Sequence, residues 1–162
     1  MPRLLFLCTG NACRSQMAEA WTRKLWPGLE VHSAGACPAS NVDPLAVRAM
    51  AECAIDISSA RPKGLADLPC TSFDLAITLC DNAAALCPRV PGAARVVHQG
   101  FADPPALARY AASPEQAMDA YRQVRDAIAD AVKRLPEDYP ELFDMIQAGH
   151  RAAAAAPDSG GF

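Results

Sequence analysis

Short runs of apolar residues recur along the chain, and four segments have the length of a buried strand. In Arg3–Cys8 and Phe73–Leu79 almost every residue is apolar, which is typical of strands covered on both faces in a parallel sheet. Leu29–Ala34 and Ala94–His98 contain fewer apolar residues but are similar in length. Gly35, a turn-forming residue, follows Leu29–Ala34 directly. These four segments are the predicted strands.

Between and after these strands, apolar residues recur at helical spacing. One helix is predicted from Ser15 to Pro27, and a second from Asp43, its N-terminal cap, to about Cys53. The longest pattern covers Ser113–Leu135 and begins with a serine that can cap it. Strands that alternate with helices predict a single α/β domain, a four-stranded parallel sheet flanked by helices.

The last part of the chain has a weaker pattern than the rest. We assign residues 1–138 to the domain and residues 139–162 to a C-terminal extension. Tyr139–His150 has the spacing of one more helix, and the alanines that follow favour helix as well. Pro157 and Gly160 favour a frayed end, so the extension is predicted to be partly helical.

Composition and charge narrow the classes of protein that fit. The chain has 162 residues, of which 51% are hydrophobic and 20% charged, enough for one buried core. The net charge of −3 gives no support for nucleic acid as a partner, because phosphate backbones recruit clustered Lys and Arg. No apolar run approaches the ~20 residues of a membrane span. Leu4–Cys8 is too short for the core of a secretory signal, so we expect a cytoplasmic protein with no membrane partner.

Seven cysteines are the most unusual feature of the composition. An odd number does not close into a simple disulfide framework, and in a reducing compartment thiols serve packing, metal binding or catalysis. The histidines His32, His98 and His150 are far apart, and the chain has no Cys-x-x-Cys pair. A closed zinc site needs about four convergent ligands at short spacings, so no metal is expected.

The segment CTGNACRS, between the first strand and the first helix, has the composition of an oxyanion-binding loop. A loop that leads into a helix N-terminus points its backbone N–H groups inward, and Gly10 lets it turn without a Cβ penalty. The same field stabilises a thiolate, which makes Cys8 the predicted nucleophile. Ser15 is expected to donate its hydroxyl to that thiolate or to cap the helix. The predicted oxyanion-binding residues are Thr9, Gly10, Asn11, Ala12, Cys13 and Arg14. Arg14 would bind the oxyanion through its planar guanidinium.

These residues resemble a known family. The stretch CTGNACRSQMAEAW is similar to the opening of low-molecular-weight protein tyrosine phosphatases, and more similar to the thioredoxin-coupled arsenate reductases built on the same fold. The resemblance runs from Arg3 to about Leu135. It implies the phosphatase-like fold, a catalytic role for the loop, with Cys8, Arg14 and Ser15 taking part, and no tightly bound cofactor.

The resemblance also implies roles for two later cysteines. Cys80 follows the third predicted strand and is expected near Cys8, because the carboxyl ends of parallel strands face one crevice. In the implied relay the Cys8 thiolate attacks arsenate, Cys80 attacks the Cys8 sulfur as arsenite leaves, and Cys87 then attacks Cys80. Reduced thioredoxin restores the two shuttle thiols. The segment between them, DNAAAL, is expected to be helical while both are reduced and to loop out when they join.

A carboxylic acid is expected near the same crevice. Asp103 lies in a predicted loop, Gly100–Pro105, and the resemblance implies that it protonates the leaving oxygen. Phosphatases of this fold usually carry an aromatic residue after Asp-Pro, whereas Pro105 and Ala106 follow here. This favours a small inorganic oxyanion, arsenate, with phosphate and sulfate as analogues.

Some thioredoxin-coupled relatives bind potassium beside the loop through an Asn, a Glu, a Ser and an Asp. Asn11, Glu19 and Ser33 match the first three, but Lys63 stands where the Asp falls. We expect the Lys63 ammonium to occupy the cation's place and to pair with Glu19, which argues against a potassium requirement. A solvated surface lysine is the alternative interpretation.

Three other functions stay open at this point. A phosphatase that forms a phosphoenzyme on Cys8 would use Arg14 and Asp103 but neither Cys80 nor Cys87. A non-enzymatic oxyanion-binding or redox-sensing protein would cycle the later two thiols without turnover. A reductase could also take its electrons from a glutaredoxin or a low-molecular-weight thiol, although an internal disulfide favours thioredoxin.

Overall fold

Four parallel strands form the centre of the protein. The computed structural model describes residues 1–86 and 89–155. The sheet has the order β2-β1-β3-β4, and all neighbouring strands are parallel. Its strands are β1 (Arg3–Cys8), β2 (Glu30–Gly35), β3 (Leu75–Thr78) and β4 (Val96–His98). The predicted α/β class with a four-stranded parallel sheet is confirmed.

Helices follow the strands and cover the sheet, as the alternating pattern predicts. Within the described residues they are α1 (Arg14–Leu25), α2 (Pro44–Ala51), α3 (Asp81–Leu86), α4 (Pro104–Ala108), α5 (Pro114–Lys133), α6 (Leu135–Asp138) and α7 (Pro140–Ala155). A 3₁₀ turn, Leu65–Asp67, lies in the long segment between α2 and β3. None of the helices in the described part of the chain is both long and apolar enough to cross a membrane.

The two faces of the sheet bury different clusters, because alternate side chains of a strand point to opposite faces. Leu4 and Phe6 of β1 pack with apolar residues of α1 and α5 in the larger cluster. Leu5 and Leu7 point the other way, into a smaller cluster that includes Phe73. Strand β1 is therefore buried on both faces, which explains its unbroken apolar run.

Both predicted helix caps are present. Asp43 Oδ1 accepts a hydrogen bond from the Leu45 N–H at 2.9 Å, and Ser113 Oγ accepts one from the Gln116 N–H at 3.2 Å. A proline follows each cap, where its missing N–H costs nothing. Helix α2 ends two residues before the predicted end near Cys53.

The structure differs from the prediction at the start of β3 and in the segment after β4. The loop predicted over Gly100–Pro105 is shorter, because α4 begins at Pro104, whose fixed φ suits a first helical turn. Phe73, predicted as the first residue of β3, lies before that strand and makes a single bridge to Ala93. The segment DNAAAL is helical as predicted and forms α3.

The C-terminal extension is helical through most of its described length. Helix α7 begins at Pro140, one residue after the start of the helix predicted over Tyr139–His150, and continues to Ala155. Leu142 is buried, and Phe143 meets Trp26 edge-on with ring centroids 5.0 Å apart. The division of the chain at residue 138 stays a prediction, and the predicted frayed end, residues 156–162, lies outside the described residues.

Candidate active site

A loop at the carboxyl end of β1 and the N-terminus of α1 encloses a pocket. Cys8 is the last residue of β1 and Arg14 the first of α1. The sequence predicts that Gly10 makes the turn possible, but the residue with a positive φ, 51°, is Asn11. Asparagine tolerates the left-handed region better than most residues do, so Asn11 carries the sharpest bend of the loop.

The carbonyl groups of residues 8–13 all accept hydrogen bonds from outside the pocket. Their donors are the backbone N–H groups of Ala36, Cys37, Ala39, Asp43 and Met17 and the side-chain amide of Gln16. Within the described residues, the N–H groups of Gly10, Ala12 and Cys13 make no hydrogen bond. This arrangement leaves backbone donors for an oxyanion at the N-terminus of α1, where the helix dipole also favours one.

The Cys8 thiol is buried beside this loop, with 3% of the residue exposed. Its Sγ lies 2.8 Å from Ser15 Oγ and accepts a hydrogen bond from the Asn11 N–H at 3.2 Å. Asn11 Nδ2 donates to Ser15 Oγ at 2.8 Å, so the hydroxyl hydrogen of Ser15 is free to point at the sulfur. Hydrogen bonds donated to sulfur favour its thiolate form.

Arg14 and Asp103 meet at the mouth of the pocket. Arg14 Nη2 lies 3.4 Å from Asp103 Oδ1, and Arg14 Nη1 donates to the Phe101 carbonyl at 3.0 Å. The side chain of Arg14 is 13% exposed and that of Asp103 45%. Both line the pocket together with Pro105. The guanidinium is thus held from one side by the segment that carries the carboxylate.

Cys80 lies beside two residues that line the pocket, Cys8 and Thr9. Cys8, Cys80 and Ala83 form one buried contact cluster. Cys80 Sγ lies 3.3 Å from Thr9 Oγ1 and accepts a hydrogen bond from the Ala83 N–H at 3.3 Å. The ends of two neighbouring strands therefore bring together two thiols that are far apart in sequence, as expected. Cys87, the third predicted thiol, lies outside the described residues.

A polar network supports the loop from behind. Ser33 Oγ donates to Glu19 Oε2 at 3.0 Å and accepts from Asn11 Nδ2 at 2.9 Å. Lys63 Nζ lies 3.4 Å from Ser33 Oγ and 3.5 Å from Asn11 Oδ1. It is also 3.9 Å from Glu19 Oε2, while Arg23 pairs with the other oxygen of that carboxylate at 2.9 Å. The Lys63 ammonium thus stands among the side-chain oxygens of Asn11, Glu19 and Ser33.

One carboxylate of the pocket was missed by sequence patterns. Asp43, predicted only as a helix cap, also lines the pocket. Its Oδ2 accepts a short hydrogen bond from the Tyr121 hydroxyl, and its backbone N–H donates to the Ala12 carbonyl at 2.9 Å. Burial, and then the Asp43 carboxylate, raises the pKa of Tyr121 far above its ordinary value, so the hydroxyl stays a donor. An Asp-Pro pair at a helix start carries no signal for these contacts.

The four cysteines without a predicted catalytic role differ in exposure. Cys13 lines the pocket and packs into the larger core cluster, where burial, and then the Asp43 carboxylate, raises the pKa of its thiol. It therefore stays a protonated packing residue. Cys37 is exposed, and Cys53 and Cys70 are partly buried.

The fold and the loop agree with a known family. Residues 3–142 match the family model described as low molecular weight phosphotyrosine protein phosphatase. This match spans most of the chain, including all four strands and the pocket loop. The protein belongs to this family, and the family resemblance found in the sequence is confirmed.

Several relatives are named for a different reaction. An arsenate reductase of Halalkalibacterium halodurans is 42% identical over 135 residues, which cover 83% of this chain and 94% of that protein. A solved structure of an arsenate reductase in the phosphate-binding state has a TM-score of 0.70 at 27% identity, covering 85% of this chain and 98% of that one. A thioredoxin-dependent arsenate reductase from Corynebacterium glutamicum has a TM-score of 0.61 at 27% identity, covering 92% of this chain and 63% of that one.

Proposed function

We propose that this protein is an arsenate reductase that works through a three-cysteine relay regenerated by thioredoxin. Its relatives at 42% identity include arsenate reductases. One observation supports the proposal beyond that likeness: Cys80 shares a buried contact cluster with Cys8, the thiol that lines the oxyanion pocket. Ester hydrolysis has no use for a second thiol there, whereas a two-electron reduction by thiols needs a partner sulfur.

The first step is nucleophilic attack on bound arsenate. The loop amides and the Arg14 guanidinium bind its oxygens, and the Cys8 thiolate, stabilised by Ser15, attacks arsenic while one oxygen leaves as water or hydroxide. Asp103 lines the pocket 3.4 Å from Arg14. That position supports Asp103 as the acid that protonates the leaving oxygen.

Two thiol exchanges follow. Cys80 attacks the Cys8 sulfur, the arsenic–sulfur bond breaks, and its electron pair reduces As(V) to As(III), which leaves as arsenite. The N–H of Ala83 and the hydroxyl of Thr9 at 3.3 Å support the Cys80 thiolate for this step. Cys87 then attacks Cys80, which releases the Cys8 thiolate and leaves a Cys80–Cys87 disulfide.

Reduced thioredoxin is the proposed donor and the cytoplasm the proposed compartment. Free thiols in a relay need a reducing environment. Helix α3, which separates the two shuttle cysteines, presents Asp81, Asn82 and Ala85 to solvent. A disulfide formed around such a surface helix is accessible to another protein. The Corynebacterium glutamicum structure, a thioredoxin-dependent arsenate reductase, adds support by analogy.

The proposal extends to the polar network behind the loop, where Lys63 takes the place of a bound monovalent cation. Its ammonium lies between 3.4 and 3.9 Å from the oxygens of Ser33, Asn11 and Glu19. A covalently attached charge cannot dissociate, so the loop keeps this support at any potassium concentration. Activity is therefore independent of potassium.

Arsenite release in the presence of thioredoxin, thioredoxin reductase and NADPH tests the relay. Turnover should be lost in Cys80→Ser and in Cys87→Ser. It should be retained in Cys53→Ser, a matched loss of a thiol that is not part of the pocket. Mass spectrometry of protein trapped after one arsenate turnover should find a Cys80–Cys87 disulfide.

Each competing function gives a different result in the same assays. A phosphatase would hydrolyse phosphotyrosine equally well in Cys80→Ser and Cys87→Ser and release no arsenite. An oxyanion-binding or redox-sensing protein would lose thiols once per chain without accumulating arsenite. Turnover with a glutaredoxin but not with thioredoxin would retain the relay and overturn the proposed donor.

A further inference from the structure

Three metal-binding side chains meet at the opposite end of the sheet from the pocket. Glu30, His32 and Cys70 each offer one donor atom, and the three atoms lie within 4.8 Å of one another. Glu30 Oε1 and His32 Nε2 are 2.9 Å apart. Glu30 is the first residue of β2, whereas the pocket lies at the carboxyl end of β1. This cluster is therefore separate from the active site described above.

The fold holds the two strand residues in a fixed relation. Glu30 and His32 are separated by one residue on the edge strand β2, so both side chains project from the same face. Cys70 packs against the smaller buried cluster on that face of the sheet. The His32 ring meets Phe73 of the same cluster edge-on, with centroids 6.2 Å apart. Parallel pairing with β1 along all of β2 limits the movement of both strand residues.

The Glu30 carboxylate has one oxygen oriented by a neighbour and the other turned toward His32. Its Oε2 accepts a hydrogen bond from Arg3 Nε at 3.1 Å. Arg3 is itself held, because its Nη1 donates to Ser72 Oγ at 3.0 Å. Carboxylates that bind metals are commonly fixed by such an outer hydrogen bond. Oε1 shares a hydrogen bond with His32 Nε2 at 2.9 Å, and in the metal-bound form both atoms would turn to the ion instead.

The charges around the cluster suit a divalent cation. Arg3 adds a positive charge, but its backbone N–H donates to Asp74 Oδ2 at 2.7 Å, which brings in a second carboxylate. A thiol that binds a metal does so as the thiolate. The three negative charges of Glu30, Asp74 and the Cys70 thiolate would then equal the charges of Arg3 and a divalent ion.

We propose that Glu30, His32 and Cys70 bind one Zn²⁺ ion. Imidazole, thiolate and carboxylate are the ligands that zinc takes in proteins, whereas calcium and magnesium take oxygen ligands. Three protein ligands leave a fourth position for water. Such an open site differs from a closed site with four protein ligands, which the spacing of the cysteines and histidines does not favour. The side chains of His32 and Glu30 are 12% and 32% exposed, so an ion can reach them from solvent.

Only a small movement separates the cluster from a zinc geometry. Ligand atoms at about 2.0–2.3 Å from a tetrahedral zinc ion lie about 3.5 Å from one another. The donor atoms here are at most 4.8 Å apart, so the Cys70 sulfur has to approach by about 1 Å. Glu30 Oε1 and His32 Nε2, at 2.9 Å, have to separate by about 0.6 Å. Side-chain rotation of Cys70, which is not held in a strand, can supply the approach of its sulfur.

Zinc binding is tested in a protein that lacks the pocket thiols, because these would bind zinc as well. The triple variant carries Cys8→Ser, Cys80→Ser and Cys87→Ser. In competition with a chromogenic chelator it should take up one zinc equivalent per chain. Cobalt in place of zinc should give the charge-transfer absorption of a thiolate ligand. An absence of uptake by this variant overturns the proposal, whatever the behaviour of any further variant.

Ligand variants on the triple background identify the site. Cys70→Ser and His32→Gln should each weaken zinc binding by at least about tenfold, and Cys70→Ser should remove the cobalt–thiolate absorption. The matched changes Cys53→Ser and His150→Gln should leave both readouts unchanged. Equal losses in the matched variants would mean scattered surface binding and overturn the site. Melting curves in the presence of a chelator show whether each variant is folded.

Discussion

The loop between β1 and α1 and the helix α3 lie near each other at the pocket but differ in how firmly they are held. In the loop, Asn11 and Ser15 are fully buried, although both are polar. The side chain of Asn11 makes hydrogen bonds with four residues: Ser15, Gln16, Ser33 and Lys63. Every carbonyl of residues 8–13 is also paired. Movement of this loop would break several buried hydrogen bonds at once, so the loop is rigid.

Helix α3, on the Cys80 side of the pocket, has few buried contacts among the side chains of residues 81–85. It is six residues long, and Asp81, Asn82 and Ala85 are exposed. Isolated helices shorter than about 12–15 residues are marginal in water. Ala83 is fully buried and packs with both pocket thiols. Among the side chains of residues 81–85, the Ala83 contact and the hydrogen bonds of Asp81 with His98 and of Asn82 with Thr9 hold the helix in place.

This difference matches the two demands of the proposed chemistry. An oxyanion is bound best by donors that are already in position, because donors that must reorganise reduce the gain. A disulfide between the shuttle cysteines requires the opposite. Seven residues of helix span about 10 Å, and Cα atoms more than about 7 Å apart cannot be joined without backbone movement. The weakly held segment is the one that must unwind.

The largest effect is expected from the rigid side, in Ser15→Ala. This change removes the hydroxyl 2.8 Å from Cys8 Sγ. We expect an effect of the size known for the loss of one oxyanion-hole donor, about 10²–10³-fold in kcat. Arsenate turnover and the alkylation rate of Cys8 at neutral pH should both fall. Ser59→Ala, at an exposed serine, is the matched control. Unchanged alkylation of Cys8 would show that Ser15 does not support the thiolate.

A second change attacks the loop through its neighbour, Gly35→Ala. A Cβ at this position would lie 2.7 Å from the Thr9 carbonyl oxygen and 2.9 Å from the Asn11 nitrogen. Both contacts are with loop backbone that cannot move away cheaply, so we expect a loss of about 1–3 kcal/mol in the free energy of unfolding and weaker phosphate binding. Urea denaturation and calorimetry measure the two effects.

The control for this substitution is Gly149→Ala, on helix α7. A Cβ there meets nothing within 4 Å, and alanine favours a helix over glycine by about 1 kcal/mol. Stability should therefore stay the same or rise. A Gly35→Ala protein that binds phosphate as tightly as the unchanged chain would mean that the loop adapts, contrary to the rigidity argued above.

Features of the loop and the helix can be predicted from the sequence where they depend on residues that are close together along the chain. The strand Arg3–Cys8 and the cap Asp43 were predictable because their signals lie within a few residues. Family resemblance supplied Cys80, whose position depends on two strand ends that meet only in the folded sheet. The contact of Asp43 with Tyr121 has no local signal, since it depends on how α2 and α5 pack.

The loop illustrates the same limit at a finer scale. Its sequence predicts an anion-binding turn, and glycine is the ordinary choice for a sharp bend. The bend instead falls on Asn11, because its side chain is held by groups from α1, from β2 and from the segment that carries Lys63. Tertiary contacts of this kind override the local preference of a residue, and they are absent from any window of sequence.

The third prediction concerns the weakly held side, through Ala85→Gly. Glycine lowers helix stability by about 1 kcal/mol relative to alanine at an exposed position, which is about fivefold in the equilibrium for unwinding. The Cys80–Cys87 disulfide should therefore form up to about fivefold faster after a single arsenate turnover. Ala152→Gly, at an exposed position of α7, is the control. A slower or unchanged rate would mean that unwinding of α3 does not limit the shuttle.

The smallest effect is expected at Lys63, behind the loop. In the unchanged protein, replacing potassium by sodium at equal ionic strength should alter arsenate turnover by less than about twofold. Lys63→Ala should cost less than about 1 kcal/mol in the free energy of unfolding, because Arg23 still pairs with Glu19 at 2.9 Å. This variant should become more stable in potassium than in sodium, since the vacated oxygens can bind an ion that the folded state alone recognises. Lys133→Ala, at an exposed lysine, should show no such dependence. Strong, specific activation of the unchanged protein by potassium would contradict the proposal that the ammonium replaces the cation.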